Sequence, residues 1–250
     1  SIFNPIAPAA CEARFNQIQR VVDLIIKALA PVLPDKCTAG NAACLSFASY
    51  SGVRETGDYW VLIEVNEAAM GGRPGSDGPD TVEELMRNTR NNPLEDLGMH
   101  LPMLCDRYEI RDDVFPGPGK YRGGMGVVKS QRFLTPGFMT HESDRNEDAP
   151  WGIFGGGEGA PARVRIQNVE KGEAARDVYA KFSGMRAELG DVVTYLSPGG
   201  GGFGDPKKRD KDAVLRDLRL GYISQETARK VYGLKSATSQ SGRQKNKRAP

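Results

Sequence analysis

Arginines and aspartates set among glycines are the residues of this sequence best suited to chemistry. Arg73 lies between Gly72 and Pro74, and Arg122 precedes Gly123. A guanidinium held at a glycine-rich loop can approach a carboxylate or phosphate through two parallel hydrogen bonds, so both are candidates for holding an anionic intermediate. Asp77 and Asp205 flank turn residues; turn capping through the side chain is the simpler reading of each, and Asp77 is also a candidate orienting group. Lys120, two residues before Arg122, is a candidate auxiliary cation.

Other chemistries find few residues. The two histidines are His100 and His141, and neither belongs to a His-Glu-x-x-His or Cys/His spacing. A complete metal site would need mostly carboxylates, and none is expected. His141 falls in the polar stretch Thr140-His141-Glu142-Ser143-Asp144-Arg145, which reads as a loop with a solvated imidazole. Four cysteines, Cys11, Cys37, Cys44 and Cys105, match no zinc or redox pattern and read as reduced thiols of the cytoplasm. Ser1 reads as a processed start.

Four glycine-rich stretches, 70–78, 121–126, 154–159 and 198–206, could present amides to phosphate. None is followed by Gly-Lys-Ser/Thr and none opens a helix after a strand, so tight turns are the preferred reading.

The elements that would position these loops follow from periodicity. Ile18, Val21, Val22, Ile25 and Leu29 share one helical face, which predicts an amphipathic helix over 9–30 ended by Pro31. Residues 59–65 have the aromatic and β-branched content of a buried strand, and 81–90 could form a short helix. Further strands are expected at 108–111, 127–134, 163–169, 178–182 and 192–196. Asp210 should cap a helix over 211–220 that stops at Gly221, and Ser224 one over 225–232 before Gly233. The expected fold is α+β: a mostly antiparallel β body with a long N-terminal helix and two short C-terminal helices.

Thirty glycines and sixteen prolines among 250 residues support a loop-rich, strand-dominated body. Five basic residues and no acid lie in 235–250, which reads as a disordered basic tail after a body of residues 1–234. Setting those five aside leaves the body at about −3, so no nucleic-acid footprint is expected. The apolar run 21–33 is interrupted by Asp23, Lys27 and Pro31, so no membrane span is expected.

Five collinear stretches together resemble the C-terminal part of the hydantoinase B/oxoprolinase family. They are residues 72–78, 117–126, Asp144-Arg145 with 150–156, 198–206, and the ending from Asp212 through Leu234. The resemblance implies a subunit of an ATP-dependent cyclic-amide hydrolase acting on hydantoin, 5-oxoproline or a lactam. A ketone carboxylase of the acetone or acetophenone kind is the alternative, and a non-catalytic interaction module of such a complex is a third reading. The implied partners are a hydantoinase A-type subunit holding ATP and Mg2+, and an N-terminal B-type portion on another chain, with a divalent metal on one of them. Hetero-oligomeric assembly in the cytoplasm follows, with the isolated chain inactive.

Overall fold

A computed structural model describes residues 4–9, 14–43, 46–83, 85, 87 and 89–234. The first helix, α1 (Arg14–Leu29), is followed by the antiparallel pair β1 (Ser46–Val53) and β2 (Tyr59–Asn66). A short helix α2 (Leu94–His100) leads into β3 (Met103–Ile110), β4 (Val127–Phe133) and β5 (Gly137–Glu142). Then come β6 (Arg163–Asn168), β7 (Arg176–Val178), β8 (Lys181–Ala187) and β9 (Asp191–Leu196). A 3-10 turn at Pro206–Lys208 and helices α3 (Lys211–Leu220) and α4 (Gln225–Lys230) complete the described chain.

The strands form two antiparallel sheets, ordered β2-β1-β5-β8 and β3-β4-β9-β6-β7. Alternation explains the packing: in β2, Trp60, Leu62 and Glu64 turn inward while Tyr59, Val61 and Ile63 face out. Between the sheets Tyr50 and Trp60 meet Phe133, whose ring lies 5.7 Å from that of Tyr50 in an edge-to-face contact, and Met139, Val164, Ile166 and Tyr195 fill the same core. The α+β expectation is therefore correct, with mixed helix and antiparallel sheet. No helix of the described residues is long and apolar enough to cross a membrane.

Several elements depart from the sequence reading. None of the described residues in 81–90 is helical; the helix forms instead at Leu94–His100, where Pro93 precedes an acidic first turn with Glu95 and Asp96. The expected strand over 178–182 is split between β7 and β8 by the bend at Tyr179 and Ala180. The largest departure is the orientation of α1. Its buried residues are Asn16, Gln19 and Asp23, whereas Phe15, Ile18, Leu24, Ile25 and Leu29 are exposed. The helix turns its polar side to the body and its apolar stripe to solvent. The basic tail lies outside the described residues.

Turns occur within two of the glycine-rich stretches, at Arg73–Ser76 and at Phe154-Gly155, but most of their length forms a packed lattice. Along 199–203, successive amides donate in three directions. Gly199 and Gly202 reach the carbonyls of Ala160 and Gly157, Gly200 and Phe203 reach those of Gly124 and Tyr121, and Gly201 reaches that of Gly40. A donor pattern that repeats every third residue is that of an extended helix of the polyproline II type, which has three residues per turn and no internal hydrogen bonds. Its neighbours bond further out: Gly72 donates to Gly201, Ala39 to Gly72, and Gly124 to Met70. Such chains approach so closely that a Cβ on Gly200 would sit 1.9 Å from the Met70 carbonyl oxygen, and one on Gly123 1.9 Å from that of Gly200. Glycine is required here for want of space, not for turn conformation.

Candidate functional site

Residues 206–234 form a small unit with its own core of Val214, Ile223, Ala228 and Tyr232, docked on the lattice. Both helices begin, and α3 ends, where the sequence says they should, while α4 stops at Lys230, two residues short of the expected 225–232. Asp210 accepts the Ala213 amide at 3.0 Å, Gly221 takes the left-handed conformation at φ 82°, and Ser224 accepts the Thr227 amide at 3.0 Å.

Docking is ionic. Arg209, almost fully buried, donates to both oxygens of Asp77 at 2.6 and 2.8 Å and to Asp217 Oδ2 at 2.6 and 3.0 Å. Arg122 donates to Asp80 Oδ1 at 2.9 Å, lies 3.6 Å from Asp217 Oδ1 through its Nε, and places its guanidinium 4.3 Å from the centre of the Tyr222 ring. The Arg122 amide donates to Asp77 at 2.9 Å. Burial opposes ionisation of Asp77, but the hydrogen bonds and charge of Arg209, with Arg122, outweigh it and hold the carboxyl below its usual range.

Above this network opens a depression of about 530 Å3 lined by Asp77, Lys120, Tyr121, Lys208, Arg209 and Arg216, among others. The structure thus brings Asp77 and Lys120 to one place. Arg122 lies beneath them with its side chain turned to Asp80, and Arg73 is exposed on the adjoining Arg73–Ser76 turn. Sequence reasoning missed Lys208, Arg209, Arg216 and Asp217. The first two sit in the charge run 207–212, where only Asp210 was assigned, as a cap; the last two lie on α3. Lys120, Lys208 and Arg216 offer exposed positive charge that could steady an anionic group.

A second depression of about 440 Å3 lies beside α1, lined by Arg20, Asp23, Lys27, Asp144, Trp151 and Lys181, among others. Its floor is structural. Asp23 accepts from Arg145 Nη2 at 2.7 Å, Trp151 Nε1 at 2.9 Å and the Asn41 amide at 3.1 Å, fixing α1 to the lattice.

His141 is not solvated, contrary to expectation. It lies in β5, almost fully buried and stacked on Phe182. Because the Ala180 carbonyl, 2.9 Å away, can only accept, Nδ1 carries the proton and Nε2 accepts from Ser46 Oγ at 2.8 Å. A carbonyl, not a carboxylate, backs the ring, and Ser46 is closed to solvent, so the pair is a core contact and not a nucleophile. Burial lowers the imidazole pKa to about 4. The unfolded imidazole, near 6.5, takes a proton that the folded one refuses. Stability should therefore fall by about 2 kcal/mol from pH 7.5 to pH 5 and level off below pH 4. His141→Gln should flatten that slope in urea titrations; an unchanged slope would mean that another group carries it.

Among the described residues, no three His, Cys, Asp or Glu side chains are placed to hold a metal ion, and no glycine segment has the sequence of a nucleotide-phosphate loop. Cys37 and Cys105 are free thiols; Cys11 and Cys44 lie outside the described residues.

The hydantoinase B/oxoprolinase family profile matches residues 1–206. A putative D-/L-hydantoinase component of the B type from Pseudomonas sp. (strain NS671) is 38% identical over 94% of this chain and 39% of its own length. The beta component of the Pseudomonas jessenii caprolactamase is 25% identical over 87% of this chain and 38% of its own. The fold is similar to that of the ATP-dependent caprolactamase from the same organism, with a TM-score of 0.75 at 22% identity over 94% of this chain and 42% of that one. It is also similar to acetone carboxylase, with a TM-score of 0.64 at 20% identity over 79% and 30%. The chain spans about two fifths of the length of these two relatives from Pseudomonas.

Proposed function

Because the chain belongs to the hydantoinase B/oxoprolinase family, we propose that it is the C-terminal part of the B-type component of an ATP-dependent cyclic-amide hydrolase, acting on hydantoin, 5-oxoproline or a lactam. The observation that carries this is the 38% identity, over nearly the whole chain, to a putative hydantoinase component of the B type. Relatives named as subunits work in assemblies of several chains. The proposed partners are an A-type subunit holding ATP and Mg2+ and an N-terminal B-type portion, one of them with a divalent metal, in a cytoplasmic hetero-oligomer.

In that assembly the share of this chain is electrostatic. Lys120 on the rim of the depression and Arg73 on the turn beside it are open to solvent and free of the buried ion network, so they are the residues proposed to meet anionic groups. Asp77 and Arg122 serve as positioning residues, fixing Arg209 and the wall that carries Lys208 and Arg216.

The test is ATP-dependent ring opening by the reconstituted assembly. Arg73→Ala and Lys120→Ala should each lower kcat/KM by about tenfold or more without changing Tm. Full turnover in both variants would make this chain a scaffold. ATP turnover that requires bicarbonate and a ketone would assign the assembly to carboxylation instead.

A further inference from the structure

The stripe that α1 exposes has the pattern of a helix made to be covered. Ile18, Ile25 and Leu29 are 42%, 52% and 44% exposed, and Val32 and Leu33 extend the same apolar surface past the helix end. Within the helix, positions 18, 22, 25 and 29 are separated by steps of four, three and four, the spacing that seats one helix against another surface. The opposite side of α1 is already committed, since Asp23 is held by Arg145, Trp151 and Asn41. The helix therefore cannot roll its stripe inward without breaking a buried ion pair. An apolar stripe left facing water on a helix whose other side is committed marks a surface that another one covers.

We infer that this stripe is the seat of the part of a B-type component that lies outside the region matched by this chain, whether a separate polypeptide or the same one carries it. This inference rests on the functional reading above. The relatives point to the occupant: each of the two Pseudomonas relatives carries more than half of its length beyond the matched region, a large B-type portion available to cover this surface. The stripe offers it an apolar surface held on a rigid, ion-paired helix.

The test replaces Ile25 with a photo-cross-linking phenylalanine in the full protein in its source cell, and identifies the adduct by mass spectrometry. The expected adduct is a peptide of B-type sequence from outside the matched region. An adduct to a second copy of this chain, an adduct to an unrelated protein, or no adduct would overturn the inference. Native mass spectrometry of the same preparation separates the two possible failures. A B-type portion present but not joined at Ile25 removes this surface while the functional reading stands; no such portion removes both. In a second arm, Ile18→Ser/Ile25→Ser should weaken association with that portion by about a hundredfold while the Tm of the isolated chain holds, because both side chains already face water. Undiminished association in a folded double variant would also overturn the assignment.

Discussion

Arg209→Ala should destabilise the protein by about 3–5 kcal/mol, lowering Tm by roughly 10 °C. The guanidinium holds two carboxylates, and one of them, Asp217, is completely closed to solvent. Removing the cation leaves a charge that water cannot reach and that Arg122, 3.6 Å away, only partly balances. The loss should be ionic more than steric. Arg209→Met combined with Asp217→Leu should therefore recover a good part of the deficit, because replacing a buried ion pair by apolar groups costs far less than halving it. Thermal unfolding of the single and double variants measures this directly. A double variant no better than Arg209→Ala would show that packing and not charge had been lost. Released docking of residues 206–234 should also appear as faster proteolysis near Asp205.

Gly200→Ala should be more damaging still, at least about 4 kcal/mol and enough to prevent accumulation of folded protein. The added methyl would lie 1.9 Å from the Met70 carbonyl oxygen and 2.4 Å from its carbon, both backbone atoms that cannot swing aside. Gly172→Ala is the control. That glycine has φ +64° with nothing within 4 Å of a new Cβ, so the cost there is only the left-handed conformation, about 1 kcal/mol. Circular dichroism and yield of soluble protein for the two variants would distinguish crowding from conformation. Equal behaviour would mean that the lattice yields more readily than its contacts indicate.

Both ends of α3 and the start of α4 were legible because their signals are local: an oxygen-bearing cap, a short apolar face and, for α3, a terminal glycine each act within a few residues. Strands β2, β4, β6 and β9 were legible for a related reason, their β-branched and aromatic runs. The orientation of α1 was not. Periodicity reveals that a helix has an apolar side and says nothing of which side meets the body; here buried partners of Asp23, more than a hundred residues away in the case of Arg145 and Trp151, decide it. β5 was hidden because the inward residues are Met139 and His141 while Phe138 faces out, so its alternation reads as polar. The glycine stretches were visible as composition but not as structure, since the absence of a side chain reads the same in a turn as in a close approach. Asp77 and Lys120 were singled out and do line one depression, whereas Arg209 and Asp217 were lost among charges that usually mark a solvated surface.

The segment 199–203 bonds to Gly40, to Tyr121 and Gly124, and to Gly157 and Ala160. It is the strand of yarn that ties together pieces made long before it. A growing polypeptide could form local hairpins such as β1 with β2 early, yet the glycine lattice stays open until this late segment has left the ribosome. Loops of about forty to more than a hundred and fifty residues must close before any of these amides finds its acceptor, an ordering cost met before its reward. Folding of this protein should thus be slow and late, and a chain ending before residue 198 would keep both sheets and the core between them but lack the segment that joins the glycine lattice.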